Sequence, residues 1–303
     1  MKQLKIGNVT LDNSYILGPM AGVTDLPFRL LCKEQGAGLI CMEMVSAKGI
    51  LYHNKNTESM LMIHPDETPV SLQLFGSDPK IMSEMAKQIE ERPFTFLDIN
   101  MGCPVPNVFK SGEGSALMLD FKRASAIIRG CKKSGKVVTV KCRTGIREED
   151  MFAAEFARMC EASGADMITV HGRSRSMMYD GAPYYREIEQ AKAAVRIPVI
   201  ANGGIFSAED ARQMLQRTGA DGVMPARYGL EHPFIFSELT GKPCEKSVFR
   251  ILTGQLELTA RYYDETFTLA YIKKLASYMM KKRRGTKRYK ERLYRSGSVE
   301  ELQ

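Results

Sequence analysis

The sequence predicts an α/β fold, a closed (β/α)8 TIM barrel followed by a small all-helical C-terminal domain. Short β-rich runs recur roughly every 20–30 residues up to about residue 240, and helix-like segments separate them. Strands that alternate with helices indicate parallel βα units, and eight such units close a barrel. An open, doubly wound sheet is the alternative, but its G-x-G-x-x-G turn does not follow the first strand.

The candidate strands and helices follow from this pattern. Asp25, Asp78 and Ser207 each precede a run with helical spacing, and Asp210 lies three residues after Ser207, as helix caps require. The candidate strands are 15–19, 39–45, 70–75, 94–100, 137–142, 167–170, 199–201 and 222–224. The helical segments include 26–34, 79–91, 122–133, 151–162 and 208–216.

The chain divides into a barrel domain, residues 1–240, and a helical domain, residues 243–303. Apolar residues recur at helical spacings from Ser247 to about Arg284. Residues 1–240 hold 28 Lys and Arg against 28 Asp and Glu, whereas residues 241–303 hold 15 against 7, so the whole net charge of +8 lies in the last segment. This excess indicates a polyanionic partner, with a solvated helical surface as the alternative.

Composition and cysteine spacing exclude several classes of protein. The first residues lack the apolar core of a signal peptide, and no stretch approaches the roughly 20 apolar residues of a membrane span. We therefore expect a cytoplasmic protein without membrane contact. Seven cysteines without a C-x-x-C pair argue against a disulfide framework, an iron–sulfur cluster or a zinc ribbon, and no metal site is expected. Four of them are expected in the core, namely Cys32, Cys41, Cys131 and Cys160.

The segment Asp98-Ile99-Asn100-Met101-Gly102-Cys103-Pro104 is the most informative motif of the chain. It follows an apolar run that predicts a buried strand. A thiol followed at once by proline is held on a stiff turn, and the preceding glycine lets the backbone approach a ligand. Because function in a barrel lies at the carboxyl ends of the strands, Cys103 is the predicted reactive group.

Polar residues at other strand ends predict a ligand in the barrel. Gln73 lies in an apolar run, so its amide either bonds a neighbouring backbone or reads a ligand. Lys141 inside the fifth strand indicates an anionic or electron-rich ligand, with a salt bridge to Asp98 or Glu43 as the alternative. The small residues and proline of segment 18–22 form a backbone shelf for a planar ring, or simply a tight turn.

Strands six to eight end in a pattern typical of a phosphate site. Asn202-Gly203-Gly204-Ile205 precedes a short helix, whose backbone N–H groups would point at an anion. His171 could donate to a ring carbonyl or a phosphate, or be a satisfied core residue. A flat ring over the earlier strands, with its phosphate at strands seven and eight, fits flavin mononucleotide (FMN).

Several segments together resemble the bacterial, FMN-dependent tRNA-dihydrouridine synthase family. These are residues 18–25 and 98–104, with Lys141-Cys142-Arg143-Thr144-Gly145, His171-Gly172-Arg173 and Asn202-Gly203-Gly204-Ile205. The combination of N-x-G-C-P with K-x-R-x-G and H-G-R is specific, although each motif alone is not. The resemblance covers roughly residues 4–240 strongly and the helical tail loosely.

The resemblance implies an FMN-binding barrel whose helical domain helps to hold tRNA, with NADPH as the reductant. It implies that the flavin delivers a hydride to C6 of a flipped-out uridine and that Cys103 protonates C5. Asn100 matches a position near the reacting base. The positions that match flavin contacts are Pro19, Met20, Ala21, Gln73, Lys141, His171, Asn202, Gly203, Gly204, Ala226 and Arg227.

Given an RNA substrate, two groups of cationic residues are expected to bind it. Arg173 and Arg175 at the barrel mouth are predicted to contact the RNA backbone, with a loop salt bridge as the alternative for Arg175. In the tail, the predicted tRNA contacts are Lys281, Lys282, Arg283 and Arg284.

The chain departs from the family at Pro225, which replaces a small or aliphatic residue and removes a backbone donor near the phosphate. Ala226 likewise stands where glycine is common. Two other functions stay open. One is a flavin barrel acting on a small pyrimidine, similar to dihydroorotate dehydrogenases, and the other is a non-catalytic RNA-binding barrel. No obligate protein partner is implied.

Overall fold

The computed structural model describes residues 3–242, 244, 246–281 and 283–302. Pro243, at the predicted domain boundary, and Lys282, a predicted tRNA contact, lie outside these residues. The chain begins with an antiparallel hairpin of β1 (Leu4–Ile6) and β2 (Val9–Leu11). Eight parallel strands follow in chain order in one sheet: β3 Ile16–Leu17, β4 Leu39–Ser46, β5 Val70–Phe75, β6 Phe96–Met101, β7 Val137–Arg143, β8 Met167–His171, β9 Val199–Asn202 and β10 Gly222–Met224.

The first and last strands of this sheet meet, so the predicted barrel is confirmed. Tyr15 forms a parallel bridge with Val223. The Val223 N–H donates to Ser14 O at 3.1 Å, and the Gly18 N–H donates to Pro225 O at 2.9 Å. Pro225 thus takes part in closure through its carbonyl, although its ring removes a donor at this strand end.

The β1–β2 hairpin, which the sequence reading missed, seals the N-terminal end of the barrel. Its apolar side chains pack against residues of the strands, and together they form a buried floor of Leu4, Ile6, Leu11, Ile16, Leu39, Cys41, Phe96, Met167, Ile200 and Met224. Side chains alternate between the two faces of a strand. With Phe96 in the floor, Asp98 and Asn100 therefore point inward in successively higher layers.

The predicted starts of three helices are confirmed by their caps. Asp25 Oδ1 accepts from the Phe28 N–H at 3.2 Å, Asp78 caps the helix after β5, and Ser207 Oγ accepts from the Asp210 N–H at 3.0 Å. The barrel helices and connecting helices are α1 Leu26–Glu34, α2 Ala47–Leu51, α3 Lys55–Met60, α4 Pro79–Gln88, α5 Pro106–Lys110, α6 Phe121–Lys132, α7 Ala153–Ala162, α8 Tyr185–Ala194, α9 Ala208–Thr218, α10 Arg227–Glu231 and α11 Ile235–Thr240.

The C-terminal region is helical, as predicted, but its helical pattern is interrupted. The segment expected to run from Ser247 to Arg284 breaks at Tyr263, and Asp264 then caps a new helix by accepting from the Phe267 N–H at 2.8 Å. The helices of this region are α12 Val248–Tyr262, α13 Glu265–Met279 and α14 Lys287–Arg295.

These C-terminal helices pack against the barrel. α12 contacts α1, and α13 contacts α10. Lys274 on α13 donates to the carbonyl of Gly22, which lies in the loop after β3. Lys281 pairs with Glu231 of α10 at 2.9 Å. In the described part of the chain, no helix is both long and apolar enough to cross a membrane.

Candidate active site

The C-terminal mouth of the barrel is polar where the floor is apolar. The innermost polar layer consists of Asp98, Thr139 and Thr169, which are almost completely buried. Two residues further along β6, β7 and β8, a second polar layer of Asn100, Lys141 and His171 lines the mouth. Two residues on the flanking strands complete it: Gln73 of β5, which pairs in register with Asp98, and Asn202 of β9, which pairs with His171. The barrel thus brings together five of the predicted site residues.

A continuous chain of side-chain hydrogen bonds crosses β5, β6 and β7 in these layers. Thr139 Oγ1 donates to Asp98 Oδ1 at 2.5 Å, and Gln73 Nε2 donates to Asp98 Oδ2 at 2.6 Å. Asn100 Nδ2 donates to Gln73 Oε1 at 2.8 Å. The amide of Gln73 is therefore held by two side chains, Asp98 and Asn100, and not by a neighbouring backbone.

Asn100 links this chain to the turn that carries Cys103. Its Oδ1 accepts from the N–H groups of Gly102 at 3.2 Å and Cys103 at 2.9 Å. On the far side of the turn, the carbonyl of Cys103 accepts from Ser115 Oγ at 2.8 Å. Gly102 is required because an added Cβ would lie 3.1 Å from the backbone carbon of Cys142. The thiol is consequently fixed from both sides.

Cys103 is half-buried at the mouth, unlike the four predicted core cysteines, which are buried. Burial raises the pKa of its thiol, while a backbone hydrogen bond and the charges of Arg143 and Lys141 lower it. A raised pKa keeps the thiol protonated at neutral pH, and a protonated thiol can act as a general acid.

Arg143 fastens the Cys103 turn to the loop after β8. Its Nε donates to Gly102 O at 2.8 Å, and its Nη1 donates to the carbonyls of Ser174 and Met178, both at 2.8 Å. Burial lowers the pKa of Arg143 to about 10, so it stays charged at neutral pH. No role was predicted for Arg143 from the sequence. Its position two residues after Lys141 on the same strand could have indicated that its side chain also points into the barrel.

The ammonium of Lys141 has no salt bridge with Asp98, Glu43 or any other described carboxylate. Gln73 and Thr139 donate to the oxygens of Asp98 instead, and the negative charge of Asp98 acts on Lys141 without a direct bond. Burial, and after it the charge of Arg143, lowers the pKa of Lys141 to about 8. A buried lysine in this state favours a ligand that accepts a hydrogen bond.

The loop after β9 forms a close-fitting cradle beside three basic side chains. Gly203 has φ +103°, and an added Cβ would lie 2.6 Å from His171 Cδ2 and 3.1 Å from Arg173 Nη1. Arg227, at the start of α10, stacks on the Tyr179 ring at 4.3 Å. Burial, followed by the charges of Lys141 and the nearby arginines, lowers the pKa of His171 well below its usual value. This concentration of positive charge is suited to a small anion.

The structure corrects the two arginines predicted at the rim. Arg173 is only 4% exposed, and its guanidinium donates to the carbonyls of Asp180 and Gly181. It therefore lies under the cradle, and its contact with an RNA backbone stays a prediction that this burial disfavours. Arg175 stacks on the ring of Phe109 at 4.0 Å and forms no salt bridge with a described residue, so its loop salt-bridge alternative is wrong.

The remaining predicted ligand residues lie around the same mouth. Asn202 Nδ2 donates to Met224 O at 2.7 Å, which ties β9 to β10. Pro19 and Met20 are half-buried and Ala21 is exposed, as a shelf at the mouth requires. Thr24 secures the shelf, since its Oγ1 accepts from the Met20 N–H at 3.0 Å. Gly204 and Ala226 are partly exposed beside the cradle.

The predicted tRNA contacts of the tail are unequal. Lys281 is paired with Glu231, and Arg283 Nε donates to Met279 O at 3.2 Å, whereas Arg284 is exposed. The basic residues of α14 were not among the predicted contacts. The exposed cations on that helix are Lys287, Arg288, Arg292 and Arg295, interleaved with the exposed rings of Tyr289 and Tyr294.

Comparison with known proteins decides the family. The family model described as "Dihydrouridine synthase (Dus)" matches residues 16–302. The chain belongs to the dihydrouridine synthase family. It is 42% identical to tRNA-dihydrouridine synthase B of Vibrio cholerae over 78% of this chain and 74% of that protein. It is 36% identical to the Pseudomonas putida protein of the same name over 96% and 90% of the two chains.

A third relative, the probable tRNA-dihydrouridine synthase of Rickettsia prowazekii, is 38% identical over 86% of this chain and 81% of its own length. Among solved structures, 2-naphthoyl-CoA reductase in complex with 2-naphthoyl-CoA aligns with a TM-score of 0.63 at 11% identity, over 80% of this chain and 52% of that chain. At that identity the likeness concerns the barrel fold alone. Members of this family are enzymes, and in this chain the polar residues gather at the C-terminal mouth of the barrel.

Proposed function

We propose that this chain reduces specific uridines of tRNA to 5,6-dihydrouridine, with FMN as the bound cofactor and NADPH as the reductant. The observation that carries the proposal is the position of Cys103. A half-buried, protonated thiol is fixed on a turn at the barrel mouth, beside a basic cradle suited to a phosphate. The names of the relatives supply tRNA as the substrate.

The residues of the mouth fit FMN. The Gly203 cradle excludes even a Cβ, as a backbone grip on a phosphate requires. Arg173 and Arg227 place positive charge beside it, and His171, whose lowered pKa keeps it neutral, can still donate a hydrogen bond. Lys141 has no described carboxylate partner and is available to an electron-rich ring. We assign the flavin contacts to the shelf, the polar layer and the cradle, comprising Pro19, Met20, Ala21, Gln73, Lys141, His171, Asn202, Gly203, Gly204, Ala226 and Arg227.

Bound FMN, reduced by NADPH, would supply the hydride for C6 of the uracil ring. The protein supplies the proton. Cys103 Sγ gives its proton to C5, and the resulting thiolate is reprotonated from solvent before the next turnover. Asn100 acts beside the reacting base by holding the Cys103 turn, because its own amide is occupied by Gln73 and by the turn.

The tRNA is held mainly outside the barrel. A uridine in a folded tRNA must leave its stack to reach the mouth, and the exposed cations of the C-terminal region can bind the surrounding phosphates. We assign this role to residues 243–303 as a tRNA-binding domain, with residues 1–240 as the catalytic barrel. Such a substrate places the enzyme in the cytoplasm, and the proposal needs no further protein partner.

The test is the conversion of unmodified tRNA by purified protein. Incubation with FMN and NADPH should add two hydrogens to particular uridines, which mass spectrometry of nuclease fragments locates. Conversion of free uracil or dihydroorotate with no change in tRNA would instead support a metabolic flavin dehydrogenase. Binding of tRNA without flavin uptake or mass change would support a non-catalytic RNA-binding role.

A further inference from the structure

In the hydrogen-bond chain beneath the mouth, each amide has a donor end and an acceptor end, and Asp98 determines which end faces which neighbour. Burial raises the pKa of Asp98, while the donors Gln73 and Thr139 and the charge of Lys141 act in the opposite direction and favour its ionised form. As a carboxylate, Asp98 only accepts, so each of its oxygens takes a donor. Thr139 and Gln73 supply them, at 2.5 and 2.6 Å. With its NH2 group committed to Asp98, Gln73 must present its oxygen to Asn100, at 2.8 Å. The orientation of the Gln73 amide thus follows from the charge of its neighbour.

The orientation of the Asn100 amide follows in the same way and determines what the Cys103 turn can bond to. Asn100 donates its NH2 group to Gln73, so its oxygen is left for the Gly102 and Cys103 N–H groups. Were the Asn100 amide reversed, an NH2 group would face two N–H donors, and the turn would lose both hydrogen bonds. We propose that Asp98 is a positioning residue that fixes the polarity of this chain and thereby holds Cys103 in place for proton donation. The part concerning proton donation rests on the proposed function.

Replacement of Asp98 by asparagine keeps the size of the side chain but removes the requirement that both of its neighbours donate to it. The new side chain has one acceptor where Asp98 had two, so one donor hydrogen is left without an acceptor. It lies either on Thr139, whose oxygen would then accept from the asparagine NH2 group, or at the Cys103 turn. At the inner end, Thr139 is buried and its hydroxyl has no other partner among the described residues. At the outer end, the Cys103 turn is partly open. A mismatch costs less where water can satisfy it, so Gln73 and Asn100 reverse and the turn loosens.

The readout is the alkylation rate of Cys103 by iodoacetamide in the cofactor-free protein, measured by peptide mass spectrometry. Cys244, half-buried in the C-terminal region, serves as an internal reference. We expect Asp98→Asn to increase the Cys103 rate relative to Cys244 by at least about threefold, because a loosened turn exposes the thiol and brings its pKa down toward the ordinary value. An unchanged ratio would overturn the proposal.

Two further variants separate polarity from packing. Ile99→Val removes one methylene from the core beside Asp98 but leaves every hydrogen bond of the chain in place, so the alkylation ratio should stay within about twofold of wild type. A rise as large as that of Asp98→Asn would reduce Asp98 to a packing role. Adding Gln73→Glu to Asp98→Asn returns an acceptor-only group to the chain, so it should restore the ratio. It should also recover stability if Asp98→Asn alone does not fold; additive losses in the double variant would contradict the proposal.

Activity separates this inference from the proposed function. With tRNA and FMN, Asp98→Asn should lower kcat while the Kd for tRNA stays unchanged, and Ile99→Val should change neither. If the alkylation ratios behave as expected but wild-type protein forms no dihydrouridine, then the proposed function fails and the positioning role of Asp98 stands. If dihydrouridine forms but the ratios do not move, the reverse holds.

Discussion

The barrel mouth and the C-terminal helices both concentrate positive charge, but they present it differently. In the mouth, Arg143 and Arg173 are buried and bonded to loop carbonyls, and His171 lies beside them. On α14, residues such as Arg288 and Arg292 are exposed to solvent. Buried charges of one sign cost stability unless an anion joins them, whereas exposed charges interact weakly with each other and are screened by salt.

This difference indicates two anions of different size. A pocket that excludes a Cβ and gathers several cations fits one small phosphate, whose binding depends on a fixed geometry. A basic helix surface with interleaved tyrosines fits a long polyanion, whose binding depends on the number of phosphates neutralised. In this account the mouth sets chemistry and cofactor affinity, and the helices set affinity for tRNA. Each of the following changes should therefore affect one region and spare the other.

The largest effect is expected from Cys103→Ala. Loss of a general acid slows the reaction by about 10²–10⁴-fold. Dihydrouridine formation under single-turnover conditions measures this loss. The Kd values for FMN and tRNA should remain within error of wild type, because the substitution removes no charge. Unchanged turnover would remove Cys103 from the mechanism.

The next effect concerns the phosphate cradle. Gly203→Ala places a methyl group 2.6 Å from the wild-type position of His171 Cδ2 and strains a residue with φ +103°. Loss of charge-assisted hydrogen bonds of about 2–3 kcal/mol should raise the Kd for FMN about 30- to 150-fold. Gly219→Ala is the matched control, because Gly219 also has positive φ but faces open space. Equal losses in both variants would mean that backbone strain, not the cradle, causes the effect.

A smaller effect follows from the protonation of Lys141. Its pKa of about 8 in the ligand-free protein means that it is charged below pH 8 and neutral above it. If the flavin accepts a hydrogen bond from the ammonium, binding above pH 8 must take up a proton. The Kd for FMN should then rise by up to about tenfold per pH unit between pH 8 and 10. Lys141→Met should bind more weakly and lack this slope; a slope that survives would assign the titration to another group.

The smallest effects belong to the helices. Replacing Lys287, Arg288 and Arg292 with alanine should weaken tRNA binding several-fold and flatten the plot of log Kd against log salt by about one unit per lost phosphate contact. Lys281→Ala should do less, because Lys281 is already paired with Glu231. FMN affinity should not change in either variant. Equal tRNA affinity in wild type and the triple variant would leave α14 as a solvated surface.

The architecture could be predicted because its signals are local. Each barrel strand is a short apolar run, and caps such as Asp25 and Ser207 mark where helices start. The hairpin at the N-terminus was missed because three-residue strands leave no periodicity to detect. The interruption at Tyr263 was missed because apolar residues continue at helical spacing on both sides of it.

The site could be predicted only in part, because residue types reveal chemistry but not partners. Cys103 and the glycines of the cradle stand in recognisable local patterns. Arg173 was expected to contact RNA at the barrel mouth. The loop that follows it folds back instead, and the carbonyl of Gly181, eight residues further along, accepts hydrogen bonds from its guanidinium. The role of Asp98 depends on bonds to Gln73 and Thr139, which are 25 and 41 residues away in the chain.

The central claim is that the mouth holds a flavin whose electrons go to a uridine in tRNA. The most direct measurement is an anaerobic absorbance titration of the purified protein reconstituted with FMN. We expect NADPH to bleach the flavin bands and the bands to return only when unmodified tRNA is added. In Cys103→Ala their return should be slower. Protein that takes up no FMN, or a reduced flavin that small pyrimidines reoxidise and tRNA does not, would contradict it.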